Sequence, residues 1–431
     1  MDATQEALLL VDTLARLWPD LVRLADTDVD GFEAAVLPAL REVDAALDGG
    51  DADAVTRAQA SVFAAFTSYP AAETLLMQEL AAMIHDVTRG ARPPLLPGAV
   101  KQDRYLDVPV CYATDRRPTG KADPGDRFGG ERGTGLVFGV ANVSIPDDHR
   151  MGALEKPGLW RLRFRKDPGR FVTVLAVEPA QRAPFVERVR AAVAGTATPD
   201  VLIFVHGYNV TFTDAVRRAA QVAYDLHFEG VPMLYSWPSK ASVLGYGADE
   251  NNVTWTAPHF AEFLRLAMTE LGARRVHAVA HSMGNRVLLA GLVDLDATDS
   301  PQLGQVVFAA PDIDAAVFTQ LAGKFTGNAA GCTLYASSND LALRASEQWA
   351  THPRAGQSGP DIVVVPGVDT IDASELDTGL MGHSYYGDRR SVLADMFYVI
   401  RNGLAPAARF GLTAMSHPSG LTYWSFTPGD A

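Results

Sequence analysis

From Val201 to about Asn402, short β-branched runs alternate with stretches of helical periodicity, and no other feature constrains the fold of this chain as strongly. Apolar runs at 201–205, 231–237, 276–280, 306–310, 332–337 and 361–365 are each the length of one buried strand. Helical spacing recurs around 214–226, 257–271, 285–292, 313–321, 341–349 and 391–402. Strands that are apolar on both faces and joined by helices specify an α/β fold, a mostly parallel sheet with helices on both sides. Further strands are read at 136–143, 159–164 and 171–177, the last two flanking the turn signal Lys166-Asp167-Pro168-Gly169.

The first ninety residues have a different texture. Leu10, Leu14, Leu17, Trp18 and Leu21 mark one helical face, Phe32, Val36, Leu40, Val43 and Leu47 a second, and Leu76, Leu80, Met83 and Ile84 a third. Val55, Val62 and Phe66 suggest another helix after Gly49-Gly50, and Pro38 is expected to kink or split the second. Pro93-Pro94-Leu95-Leu96-Pro97-Gly98 reads as a linker. The expected organisation is a helical bundle and linker over 1–98, then an α/β domain over 99–431 whose tail at 421–426 is an edge strand or covering segment. Residues 1–90 either recruit a protein partner or a second copy, or brace the core; both readings stand.

At 48% hydrophobic and 20% charged residues, the 431-residue chain has the balance of a globular protein. A formal net charge of −14 repels phosphate backbones, so nucleic acid is not an expected partner. No run of about 18 apolar residues is present to span a bilayer. The start Met1-Asp2-Ala3-Thr4 lacks the basic region of a secretory leader, so a cytoplasmic protein is expected. Cys111 and Cys332 lack disulfide or metal-ligand spacing and are expected as buried thiols; no metal or cofactor is expected.

Within the α/β series, 276–280 runs into His281-Ser282-Met283-Gly284, a strand that turns at once into a helix. A serine at such an elbow, between small residues, takes a strained conformation and projects its hydroxyl above the sheet. Ala280 stands where the pattern has its first glycine, and Gly284 supplies the second. A serine nucleophile needs a base, an orienting carboxylate and oxyanion donors. His383, between glycines in a loop after the later strands, is the expected base. Asp340, after 332–337, is the preferred acid, with Asp312 as the alternative; Asp312 and Asp314 also suit a helix start. The oxyanion donors are expected to be the backbone N–H groups of Tyr208, in the loop after 201–205, and Met283. The segment 237–255 is expected to overhang the pocket, with Tyr208, Trp237, Tyr246 and Tyr385 lining a substrate subsite.

These residues resemble a bacterial α/β-hydrolase family, long described as a domain of unknown function, whose signatures FVHGYN, SWPS, AHSMGNR and GHSYY match 204–209, 236–239, 280–286 and 382–386. The resemblance runs from about Val108 to about Asn402. It implies a serine-hydrolase core with Ser282, Asp340 and His383 as the triad, and an alanine in the elbow is normal for it. The expected activity is cleavage of a small-molecule carboxylic ester through an acyl-enzyme. A thioesterase or amidase with the same triad, or a non-catalytic ligand-binding scaffold recruiting partners by its bundle, is the alternative.

Overall fold

The computed structural model describes residues 28–49, 52–70, 96–149, 167–242, 245–295, 303–338, 352–374, 392–409 and 412–426, with the single positions Leu10, Leu14, Leu21, Ala72, Leu76 and Leu154. The chain divides into two compact units, Met1–Pro93 and Pro94–Ala431. In the first, helices Val29–Gly49 and Ala52–Phe66 bury Phe32, Val36, Val43, Val55, Val62 and Phe66 in one cluster with Leu10, Leu14 and Leu21. Pro38 lies inside the first helix without splitting it.

The second unit is built on one sheet. Its strands, in chain order, are β1 (Val100–Lys101), β2 (Tyr105–Pro118), β3 (Phe128–Pro146), β4 (Thr173–Ala180), β5 (Asp200–Val205), β6 (Val231–Ser236), β7 (Arg275–His281), β8 (Leu303–Ala309), β9 (Ala329–Ala336), β10 (Asp369–Asp372), β11 (Leu412–Ser416) and β12 (Thr422–Phe426). They lie in the order β11-β12-β10-β9-β8-β7-β5-β6-β2-β3-β4, with β1 beside β2. Pairing is parallel from β2 through to β12, whereas β3, β4 and β11 run antiparallel to their inner neighbours. The mostly parallel α/β architecture read from the alternation is therefore present.

Successive side chains of a strand point to opposite faces. On β5, Val201, Ile203 and Val205 face one core with helices Arg182–Ala194, Tyr246–Thr269, Gly284–Val293 and Ala315–Phe325. Leu202 and Phe204 face the other, with helices Phe212–Asp225 and Val392–Asn402. Every residue of β5 and β6 is buried, as a doubly covered sheet requires. Cys111 and Cys332 are both buried free thiols, pushed up to about 12 by burial. Among the described residues no helix is long and apolar enough to cross a membrane.

Two expectations are corrected. The run 361–365 is not a strand: Ile362, Val363 and Val365 pack into the core from irregular backbone, Val363 O accepting from Thr370 Oγ1 at 2.8 Å. The ladder position beside β9 belongs instead to β10, whose Thr370 and Ile371 are buried between acidic ends. The helix expected around 257–271 begins earlier, at Tyr246, and ends at Thr269.

Candidate active site

Register brings four chain segments to one end of the sheet. Val205 lies opposite Ala280 across the β5–β7 pair and opposite Tyr235 across β5–β6, while Thr114 of β2 lies opposite Ser236. The residues that follow, His206 to Val210, Ser236 to Ser239, and Ser282, are therefore neighbours, and Arg116 joins them from the end of β2. Irregular register at Thr114/Arg116 and Arg116/Pro118 breaks the β2–β3 ladder here, as bulges do where a strand re-aims a side chain.

Ser282 has φ +50°, a left-handed conformation that costs a non-glycine residue on the order of 1–3 kcal/mol. The strain is held by hydrogen bonds on both sides of the residue. Its N–H donates to Ala309 O of β8 at 3.0 Å, and its carbonyl accepts from Asn285 N, Asn285 Nδ2 and Asp312 N at 3.1, 2.9 and 3.2 Å. Asn285 Nδ2 also donates to Ala309 O, so this fully buried side chain ties the elbow to β8. A Cβ on Gly284 would fall 2.3 Å from His206 O, and one on Gly207 would fall 3.0 Å from Ser282 Cβ. Both glycines exist because the nucleophile turn and the 206–210 loop touch. Ser282 Oγ makes no hydrogen bond among the described residues.

The loop after β5 is fastened from below. Arg116, 1% exposed, donates Nε to Ser236 Oγ (2.9 Å), Nη1 to Gly129 O (3.2 Å) and Ser239 O (3.1 Å), and Nη2 to Val210 O (2.8 Å) and His206 Nε2 (3.2 Å). Burial lowers its guanidinium to about 10, with Asp115, Asp249 and Asp214 working the other way, so it stays charged at neutral pH. His206 Nδ1 donates to Gly207 O at 2.7 Å. Burial, and then the Arg116 charge, hold this imidazole well below its ordinary pKa. Trp237 stacks on His206 at 5.0 Å and donates Nε1 to His206 O at 2.7 Å. Ser239 Oγ accepts from Val210 N (3.1 Å) and donates to the buried Asp249 (2.7 Å). Trp237 is wholly enclosed, so its expected place in a substrate subsite is corrected: it supports the loop from within the core.

At the other rim, Tyr208 meets Tyr246 edge-on at 5.5 Å. Tyr246 donates its hydroxyl to Asp312 Oδ2 at 2.8 Å and accepts from Arg286 Nη2 at 3.1 Å. Burial and Asp312 raise the Tyr246 phenol. Asp312 Oδ1 lies 3.3 Å from Arg286 Nη2 and 3.2 Å from Arg354 Nε. Asp312 does not start a helix as expected. That role falls to Asp314, whose side chain caps Ala315–Phe325 by accepting from Ala316 N and Val317 N.

Of the expected site residues, Ser282, Tyr208, Met283, Tyr246 and Asp312 are brought to this end of the sheet. Asp340, His383 and Tyr385 lie outside the described residues. The sequence reading did not anticipate Arg116, Asn285, Arg286 or Asp249. The signatures at 206–209 and 236–239 were signals that these loops meet, but nothing in them points to an arginine on β2.

A strained serine between strand and helix, at the carboxyl end of a central strand of a mostly parallel sheet with helices on both faces, is the arrangement of an α/β hydrolase. A sequence-family profile matches residues 181–401, just over half of the chain, and the chain belongs to that family, described as alpha/beta hydrolase of unknown function (DUF900). A search of curated proteins finds no match, and neither does a search of solved structures.

Proposed function

We propose that the protein is a serine hydrolase that cleaves small-molecule carboxylic esters through an acyl-enzyme. The observation that carries this reading is Ser282: a non-glycine residue held at φ +50° on a strand–helix elbow, its hydroxyl without a described partner. Ser282 Oγ attacks the ester carbonyl while His383 takes its proton and Asp340 holds the imidazole. The tetrahedral oxyanion accepts from the Tyr208 and Met283 N–H groups, and neither amide donates to another backbone carbonyl among the described residues. Collapse expels the alcohol, to which His383 returns the proton, and water then frees the acid by the same route. Asp312 suits the acid role less well than Asp340, because Tyr246, Arg286 and Arg354 already occupy its oxygens. Tyr208 and Tyr246 line the entrance, and Tyr385 is assigned to the same subsite. Thioesters and amides fit the same machinery, and a screen of p-nitrophenyl esters against acyl thioesters and anilides ranks the three.

The test is fluorophosphonate labelling of the folded protein beside its Ser282→Ala variant. Wild type is expected to label at Ser282 and lose labelling on heat denaturation. Ser282→Ala is expected to keep its fold and lose turnover by a factor approaching about 10⁶, as for other serine nucleophiles. Residual turnover within about tenfold of wild type sinks the nucleophile assignment. A folded wild type that neither labels nor hydrolyses any ester favours the ligand-binding scaffold.

A further inference from the structure

We propose that Arg116 is a positioning residue for the oxyanion donors: it selects the tautomer of His206, and that tautomer fixes the direction of the Tyr208 N–H. The proposal rests on the reading of Tyr208 as a donor. It also assigns part of the active site to a strand that lies outside the family-matched segment 181–401.

A guanidinium carries five N–H donors and no acceptor. Four of those of Arg116 go to Gly129 O, Ser239 O, Val210 O and Ser236 Oγ, and the fifth faces His206 Nε2. A donor in that place requires a lone pair on Nε2, so the ring hydrogen sits on Nδ1. Ser236 Oγ, 3.2 Å from the same Nε2, accepts from Arg116 Nε and is free to point its own hydrogen at the ring, which agrees. From the other side, Gly207 O accepts only, and at 2.7 Å from Nδ1 it requires the same tautomer. The Gly207 carbonyl and the Tyr208 N–H share one planar peptide unit, in which they point in opposite directions. Pinning the carbonyl toward the imidazole therefore turns the amide away from it, out of the loop. Arg116 Nη2 also bonds Val210 O, so one nitrogen holds both ends of the 206–210 loop. Neither a lysine, with three donors on one atom, nor a glutamine, with two, can serve acceptors from β3, the 206–210 loop and the 236–239 loop together.

The experiment has two arms. In full-length wild-type protein carrying isotope-labelled histidine, with His206 assigned by comparison with His206→Asn, the ring nitrogens near neutral pH are expected to report the Nδ1–H form. A ring with its hydrogen on Nε2 overturns the proposal without any variant. In the second arm, Arg116→Lys and Arg116→Met are assayed with p-nitrophenyl butyrate and by rate of fluorophosphonate labelling. A folded variant is expected to lose about 100–1,000-fold in kcat, the range seen when one oxyanion donor is removed, with KM nearly unchanged and the His206 signal shifted. A folded Arg116→Lys with wild-type kcat overturns the positioning role while leaving the serine-hydrolase reading intact. A wild type that neither hydrolyses nor labels overturns that reading, and the proposal with it.

Discussion

A methyl group added at Gly284 and one added at Gly323 should have opposite effects. At Gly284 the added Cβ meets His206 O at 2.3 Å and Val205 O at 2.9 Å, both backbone atoms of the segment that carries the oxyanion loop. At Gly323, inside the helix Ala315–Phe325, nothing lies within 4 Å. Gly284→Ala is expected to cost about 1–3 kcal/mol, as other overpacked sites do, and to slow labelling of Ser282 as helix and loop move apart. Gly323→Ala is expected to stabilise by about 0.5–1 kcal/mol, because it removes backbone freedom from the unfolded chain at a helical position. Urea unfolding of both variants checks this; a neutral Gly284→Ala would mean that the elbow and the loop are not in contact. The role of Gly284 was visible in its spacing from Ser282. That of Arg116 was not. In sequence it is one of two adjacent arginines at a strand end, and only the arrival of His206, Ser236 and Ser239 around it separates it from exposed Arg117.

At the level of elements, β2 reaches both faces of the sheet through adjacent residues. Arg116 goes to the loops, while Asp115 goes to the helix Tyr246–Thr269, accepting from Tyr235 OH (3.2 Å), His259 Nδ1 (3.0 Å) and Thr256 Oγ1. The hydrogen bond to Asp115 raises His259 above its ordinary value of 6.5, against a smaller opposing effect of burial. A histidine whose folded pKa is raised contributes its stability in full below the unfolded pKa and loses it as pH rises through the folded one. The melting-temperature gap between wild type and His259→Phe is therefore expected to be wider near about pH 6 than near about pH 9. A gap that does not change with pH would remove the ion pair. This helix also marks where sequence periodicity ran out. Its first turns hold Asp249-Glu250-Asn251-Asn252, which read as a loop, yet Asp249 and Asn252 are buried and accept or donate inward to Ser239 Oγ and Pro238 O. Helix Arg182–Ala194 buries Phe185, Val186, Val189 and Val193 at helical spacing, a short apolar stripe set between strands. The run 361–365 is the opposite case: its apolar residues fill the core from irregular backbone, and the ladder position beside β9 needs only the four residues of β10.

The whole molecule has two boundaries that do not coincide: the compact unit begins at Pro94, whereas the family match begins at 181. Between them lie β1 to β4, and what they contribute decides which truncation survives. β6 is buried along its whole length, and β2 covers its outer edge from Cys111 opposite Met233 to Thr114 opposite Ser236. Val108, Val110, Tyr112, Ala141 and Val143 of β2 and β3 belong to the same core as Phe212 and Leu234. Without residues 1–180 that core is opened and β6 becomes a flat apolar edge strand, the kind that pairs with other chains and aggregates. Arg116 is lost as well, and with it the grip on His206 and Val210. By contrast, among the described residues no strand of the sheet comes from Met1–Pro93. A chain of residues 94–431 is therefore expected to stay soluble and to label at Ser282 at a rate within about threefold of the full chain, since independent units tolerate cuts in the linker between them. A chain of residues 181–431 is expected to aggregate or to label far more slowly. Size-exclusion chromatography with fluorophosphonate labelling of both truncations reads the two outcomes. Full-rate labelling by 181–431 would show that the matched segment carries a complete oxyanion site without β2, and insolubility of 94–431 would show that the helices before Pro94 are part of the hydrolase core.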